Sequence, residues 1–263
     1  MQKEINLSKY SSIKIGPIVN VTIIDEDNFH DHNGFLIGGA NNLLFSNNLP
    51  PLLILNKKYD FLKIMDGYLH IGAATPNGKI VSFCKKHDIA NFEFLSNLPG
   101  KLGGAIKMNA GLKETEIFNY LETITINKNI VKREKIDYGY RYTNIQGIIF
   151  AASFKINPGF SQEKINNFKR LRNNQPHEAS AGSCFKNPEN DFAGRLIEIS
   201  GFKGKRVGNM EFSTIHANFL INHRKDTNRD NYKDALILIE GVKNAVLQEH
   251  NIELEEEIII LEA

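Results

Sequence analysis

Ser183 stands in SAGSCFKNPEN (180–190), after a glycine, before a cysteine and four residues ahead of Asn187. A hydroxyl in that setting is either a turn residue or a proton donor; the local residues leave both open. Its neighbour Cys184 is the stronger acid, but in an extended stretch it projects to the opposite face, toward a core. Arg141 lies among the three tyrosines of YGYRYTN (138–144). That pattern suits a surface cation stacked on aromatic rings or a fixed guanidinium facing a carboxylate or developing oxyanion. Near the C-terminus, LEEEIIILEA puts three glutamates in a row. If this is a strand, alternation sends Glu255 and Glu257 to one face and Glu256 to the other, so at least one can point into a cleft. His216, in IHANFLIN, is by default a satisfied core histidine and otherwise an acid or base.

Two glycine-rich segments add a different chemistry. LIGGANNLL (36–44) places Gly38 and Gly39 at the end of a strand, followed by Ala40, Asn41, Asn42 and Leu43. Missing side chains there let backbone amides approach a phosphate. LPGKLGGAIKMNAG (98–111) runs from Pro99 and Gly100 through Gly103, Gly104 and Ala105 to Asn109, Ala110 and Gly111. It is too rich in glycine for a regular element and too apolar for a solvated linker. Either segment alone is equally a tight turn. Two of them, about sixty residues apart, suggest a ligand with two phosphates held between them. The chain has no GxGxxG after a strand, no GxxxxGK[ST], no GxSxG and no HExxH, which argues against a Rossmann dehydrogenase, a P-loop enzyme and an ordinary hydrolase.

The elements that must position these residues follow from periodicity. VNVTIID, GFLIGGA, PLLILN and GYLHIGAA read as short strands. A helix follows, with Pro76 at its first position and Ile80, Val81 and Cys84 on one face. ETITINKNIVKREKI reads as a hairpin and GIIFAASFKI as a buried strand. A helix begins at Ser161, a serine cap, with Ile165, Phe168 and Leu171 on one face. FAGRLIEIS is a helix stopped by Gly201, IHANFLIN a strand, and Asp230 to His250 a long amphipathic helix marked by Leu236, Ile239, Val242 and Val246. EIIIL closes the chain as a strand. The mixture lacks strict βαβ alternation and predicts an α+β fold with more than one subdomain.

Composition bounds the rest. The 263 residues suffice for one large domain or two to three small ones. Hydrophobic content of 41% and charged content of 24% are those of a globular protein, and a net charge of +2 without clustering gives no case for nucleic acid or a membrane surface. No apolar run approaches a bilayer span and MQKEINLSKY lacks a signal-peptide core, so a cytoplasmic protein is expected. Cys84 and Cys184 are far apart, with no metal-spaced cluster, so neither a disulfide framework nor a bound metal is expected.

GGANNLL, LPGKLGGAIKMNAG, YGYR, AGSCFKNP, HANFLIN and LEEEI, in this order and over nearly the whole chain, resemble the UDP-N-acetylenolpyruvoylglucosamine reductase (MurB) family. The resemblance implies a three-subdomain α+β fold of the MurB and vanillyl-alcohol-oxidase-like kind. In it, residues 1–52 (with strand 254–263) and 53–172 hold FAD through the two glycine-rich segments, and 173–253 bind substrate. It implies NADPH-dependent, FAD-mediated reduction of UDP-N-acetylglucosamine enolpyruvate to UDP-N-acetylmuramate, a step of bacterial wall synthesis and so of cell shape and division, by a cytoplasmic monomer. Carried onto this chain, Arg141 is the active-site arginine, Ser183 the proton donor and Glu257 the second catalytic residue, with Tyr140, Gln175 and Asn187 as further substrate contacts. The gap of about thirty residues between YGYR and RNNQP matches the shorter family type. Asn41, Lys101 and Gln175 depart from residues common in the family. The rival readings are a related FAD-linked oxidase, against which AGSCFKNP argues, and a silent sugar-nucleotide-binding module, which would need neither Ser183 nor Glu257.

Overall fold

Short apolar runs bounded by turn residues fold here into sheets that helices cover on one face. In the computed structural model of the chain, residues 1–112, 114–224 and 230–263 are described. Contacts divide the chain into two compact units. Unit 1 comprises Met1–Lys3, Val21–Gly39 and Pro51–Asn173; unit 2 comprises Glu4–Asn20, Ala40–Pro50 and Asn174–Ala263. Helices and antiparallel strands are mixed in each, and the fold class is α+β.

Unit 1 is built on an antiparallel five-stranded sheet in the order Asn129–Lys132, Leu121–Ile126, Ile149–Lys155, Tyr68–Gly72 and Leu62–Met65. The expected hairpin is present, and Asn127 and Lys128 close it with φ of 47° and 71°, the left-handed pair that matches strand twist in a two-residue turn. Helix Asn77–Lys86 turns Ile80, Val81 and Cys84 into the core, with Pro76 one position earlier than expected, at the N-cap. The Ser161 hydroxyl accepts the Lys164 amide (3.2 Å) and caps helix Gln162–Leu171. Ile165 and Phe168 pack on the core, whereas Leu171, at the end of that helix, is exposed.

The segment 98–111 departs from the expectation. It contains a regular helix, Leu102–Lys107, despite two glycines. Propensity opposes that helix. Tertiary packing carries it, because Leu102, Ala105 and Ile106 are buried in the unit 1 core.

Unit 2 is built on the antiparallel sheet Ala179–Ser183, Phe219–Asn222, Met210–Phe212 and Arg206–Val207. The long helix Asn231–His250, capped by Asp230, buries Ile239, Val242 and Val246 against it. Helix Ala193–Ile199 ends before Gly201 at φ 74°, as its sequence predicts. Strand Ile259–Leu261 lies parallel to Leu43–Phe45.

Two expectations need correction. In IHANFLIN only Phe219–Asn222 is strand; His216 to Asn218 form a turn, closed by the Phe219 amide donating to the His216 carbonyl (2.9 Å) and the Asn218 amide to His216 Nδ1 (3.2 Å). The three glutamates precede the closing strand instead of forming it. Glu256 makes an isolated bridge with Phe185, and the amides of both Glu257 (2.8 Å) and Ile258 (3.2 Å) donate to the Cys184 carbonyl. This bulge breaks the strict alternation from which the facing of Glu255 and Glu257 is deduced.

Among the described residues, no helix is long and apolar enough to cross a membrane, and no group of three His, Cys, Asp or Glu could hold a metal. Both cysteines are free and buried. Burial, then Glu93, pushes the Cys84 thiol up to about 12, and burial, then Glu256 and Glu257, raises that of Cys184. Both are inert core residues.

Candidate active site

In unit 1 the tyrosine–arginine motif and the second glycine-rich segment form one connected structure. Tyr138–Gly139 and Tyr142–Thr143 pair as a tight hairpin, with Tyr140 and Arg141 at its tip and Arg141 at φ 55°. The left-handed region is unfavourable for a side chain as large as arginine, and such residues collect at functional sites. The hairpin is anchored on the glycine-rich segment. Thr143 Oγ1 donates to the Lys107 carbonyl (2.8 Å), Arg141 Nη2 to the Gly111 carbonyl (3.4 Å) and Asn109 Nδ2 to the Gly139 carbonyl (3.0 Å). The guanidinium carbon of Arg141 lies 5.0 Å from the ring centre of exposed Tyr140, so it is both stacked and fixed.

The glycines separate into two kinds. A Cβ on Gly111 would strike the Thr115 carbonyl oxygen at 2.4 Å, so packing requires glycine there, and one on Gly103 would meet Ala73 at 3.1 Å, a tight fit that leaves little room for a side chain. The Leu102 and Gly103 amides are also spent on the carbonyls of Thr75 (3.0 Å) and Ala73 (2.9 Å), which removes two donors from the expected amide nest. At Gly38 and Gly104 a Cβ would meet nothing within 4 Å, and neither has the positive φ that would demand glycine. Open space where a Cβ would stand, at glycines that packing does not explain, fits a cofactor lying against the chain. Asn109 differs from the expectation of a contact residue. Its side chain is fully buried and committed to Glu116 Oε2 (2.7 Å), the Gly139 carbonyl and the Phe118 amide (3.4 Å).

In unit 2, Ser183 and Asn187 line one open cavity of about 300 Å³ with Phe192, Arg195, Ile215 and His216. Asn187 Oδ1 accepts the Ala193 amide (3.1 Å), which leaves its amide hydrogens as the donors it can offer a ligand. Arg195 is paired with Asp191, whose carboxyl that guanidinium holds down at about 2, and Lys203 with Glu198 (2.8 Å). The rim charges are therefore matched, and the polar character of the cavity comes from Ser183, Asn187 and His216.

Beside this cavity the backbone brings Glu257 to the serine strand through its bond to the Cys184 carbonyl. Asn42 Nδ2 donates to the Glu257 carbonyl (2.8 Å), and the Ile259 amide to the Asn42 carbonyl (3.0 Å). Lysines claim the other two glutamates: Lys186 pairs with Glu255, and Lys243 with Glu256 (2.7 Å). Ala40, buried at φ 51°, accepts the Ser12 amide (3.2 Å). Gln175 is half-buried in this unit.

Sequence reasoning missed Asn218 and Asn77. Asn218 is buried; its side chain takes the Phe185 amide (2.9 Å) and donates to the Phe185 carbonyl (2.8 Å), and its own carbonyl accepts the Cys184 amide (2.7 Å). It thus clamps the segment that carries Ser183. Asn77 does similar work in unit 1, donating from Nδ2 to the Leu98 carbonyl (3.2 Å) and from its amide to the Gly100 carbonyl (3.0 Å). The only signal for Asn218 is a polar residue inside an otherwise apolar run. His216 rests against Gly194, where a Cβ would come within 3.3 Å of its ring. Burial lowers its pKa, and its Nδ1 accepts the Asn218 amide, both of which favour the neutral imidazole.

The crystal structure of UDP-N-acetylenolpyruvylglucosamine reductase (MurB) from Thermus caldophilus superposes with a TM-score of 0.85 at 26% identity, over 99% of both chains. That fold, with its uncrowded glycines and the cavity that Ser183 lines, defines a flavin-dependent oxidoreductase. Residues 175–261 match the UDP-N-acetylenolpyruvoylglucosamine reductase C-terminal domain. UDP-N-acetylenolpyruvoylglucosamine reductases of Helicobacter hepaticus (45% identical over 98% of both chains) and Campylobacter jejuni (44%, over 98% of this chain and 99% of the relative) match nearly end to end. The chain belongs to the UDP-N-acetylenolpyruvoylglucosamine reductase family.

Proposed function

We propose that this chain reduces UDP-N-acetylglucosamine enolpyruvate to UDP-N-acetylmuramate in peptidoglycan synthesis, using FAD that NADPH has reduced. The observation that carries the reading is the placing of Ser183 and Asn187 in one cavity, with the Glu257 backbone bonded to the residue that follows Ser183. Gly38, Gly39, Ala40, Asn41, Asn42 and Leu43, with Pro99–Gly111, are the segments assigned to FAD. Within the second, Asn109 shapes the backbone and Gly104 leaves room. The subdomain division 1–52, 53–172 and 173–253, a cytoplasmic location and a monomeric state belong to the same proposal.

When bound, reduced FAD supplies a hydride to the terminal carbon of the enolpyruvyl ether. Negative charge then develops at the adjacent carbon and spreads into the substrate carboxylate. The Arg141 guanidinium stabilises that charge, an effect whose loss typically costs on the order of 10² to 10³ in rate. The Ser183 hydroxyl delivers the proton to the adjacent carbon, which completes addition across the double bond, and Glu257 orients or protonates. A serine is a weak acid, but the carbanion-like centre is a far stronger base. Asn187 donates to an oxygen of the sugar nucleotide, and Tyr140 and Gln175 complete its contacts.

The test is the isolated protein. It should be yellow, release FAD on heating or acidification, lose its colour anaerobically with NADPH and regain it with the enolpyruvyl sugar nucleotide. A colourless protein that FAD does not reconstitute would end the proposal.

A further inference from the structure

Arg172 follows helix Gln162–Leu171 as its C-cap, and its Nη1 donates to the carbonyl of Asn97 (3.4 Å), two residues ahead of Pro99. At the other end of the glycine-rich segment, Arg141 donates to the carbonyl of Gly111. Two guanidinium groups thus hold the segment at its two ends. Arg172 is the more unusual. Its Nε is shut off from solvent with no hydrogen-bond acceptor. None of the ion pairs among the described residues involves it. Burial, and then the nearby charge of Arg141, lower its pKa, yet arginine stays protonated at any working pH.

A half-buried cation beside a like charge, with a shielded N–H left unsatisfied, is destabilising, and structural arginines in such places are normally paired with a carboxylate. The missing partner is an anion. A guanidinium presents planar, forked donors suited to phosphate and carboxylate oxygens. We propose that Arg172 is an anion-binding residue, which with Arg141 receives a phosphate or carboxylate oxygen of a ligand lying along residues 98–111. The proposal rests on the functional reading above only for the source of that anion: the cofactor diphosphate, or the carboxylate or diphosphate of the sugar nucleotide.

The experiment uses the full chain and the variants Arg172→Gln and Arg172→Lys. Inorganic pyrophosphate, added to flavin-free protein, is the first probe. It should raise the melting temperature of the wild type and of Arg172→Lys, and leave that of Arg172→Gln unmoved. FAD affinity, from flavin fluorescence, and sugar-nucleotide affinity, from perturbation of the oxidised flavin spectrum, are the second and third. At least one should fall about tenfold or more in Arg172→Gln, with partial recovery in Arg172→Lys; the arm that falls identifies the source. Flavin-free Arg172→Gln should melt no lower than the wild type, because it loses an unpaired cation. Equal pyrophosphate shifts in wild type and Arg172→Gln, or both affinities within about twofold of wild type, overturn the proposal. So does a lower melting temperature with equal affinity losses in the Lys and Gln variants, since that pattern marks a clamp on Asn97. If Arg172→Gln does not fold, Arg172→Lys decides: a pyrophosphate response with weakened ligand binding supports the proposal, and unchanged binding overturns it. A wild type that binds pyrophosphate but no FAD would refute the functional reading and leave this one standing.

Discussion

Asn109 ties the glycine-rich segment to the hairpin that presents Arg141: its Nδ2 lies 3.0 Å from the Gly139 carbonyl oxygen, two residues before the arginine. The same amide nitrogen satisfies Glu116, and the whole side chain is buried. Asn109→Ala should leave these acceptors unsatisfied, at about 1–3 kcal/mol, and add strain at φ 43°. Thermal unfolding should show the loss. Steady-state kinetics should show kcat falling more than KM rises, because the arginine loses its fixed position. An unchanged melting temperature would contradict this account.

Gly104 leads to the opposite sign. It sits inside helix Leu102–Lys107 with nothing near its missing Cβ. Gly104→Ala should therefore stabilise the flavin-free protein by about 0.5–1 kcal/mol while weakening FAD binding. Chemical denaturation and flavin titration measure the two effects separately, and undiminished FAD affinity would free the position from any cofactor role.

For Ser183, the two half-reactions give the discriminating measurement. In Ser183→Ala, NADPH should reduce the flavin at near the normal rate, while its reoxidation by the sugar nucleotide falls about 10² to 10⁴-fold. Ser183→Cys should recover part of that rate. Cys184→Ala, which opens a gap in the unit 2 core, should lower stability more than turnover. Stopped-flow absorbance follows each step; unimpaired reoxidation in the alanine variant would return Ser183 to a turn residue.

Among the glutamates, Glu257→Gln should slow substrate reduction severely. Glu256→Gln, which loses only a partly exposed pair with Lys243, should cost at most about 1 kcal/mol of stability and leave turnover near normal. Comparable kinetic losses would show that the assignment has chosen the wrong carboxylate.

The pH dependence of stability should carry the mark of His216. Its pKa is lowered by burial in the folded state, so between that value and the unfolded value near ~6.5 the unfolded chain binds more protons. Stability from this site is present above the unfolded value and lost as pH falls below it. His216→Asn, which keeps an acceptor for the Asn218 amide, should flatten the loss of stability between pH 7 and 5 in denaturation curves. An unchanged slope would show that His216 does not contribute.

Regular periodicity made much of this fold legible. The long helix, the capped helix at Ser161 and the hairpin closed at Asn127 and Lys128 each rest on local signals that tertiary structure did not override. The helix Leu102–Lys107 was illegible because its stability lies in buried Leu102, Ala105 and Ile106, not in its glycines. The bulge at Cys184 was equally hidden: two amides sharing one carbonyl leave no trace in a run of glutamates. The site residues were legible as types in a motif, but the clamps behind them, Asn77, Asn109 and Asn218, are ordinary asparagines until their partners are seen. Arg172 is likewise one basic residue among several in KRLRNN, distinguished only by the acceptor its Nε lacks.

Strand Ile259–Leu261 runs beside Leu43–Phe45, and unit 2 is assembled from three separate stretches of chain. On the ribosome, Leu43–Phe45 must wait for most of the polypeptide before its neighbour emerges, whereas the five-stranded sheet of unit 1 draws all its strands from residues 62–155. Long-range parallel pairing forms slowly, because loop closure precedes any reward. Nascent chains halted short of residue 259 should therefore protect unit 1 from protease and leave Ala40–Pro50 open to cleavage, so that the Asn42–Glu257 contact is among the last features of the enzyme to be born.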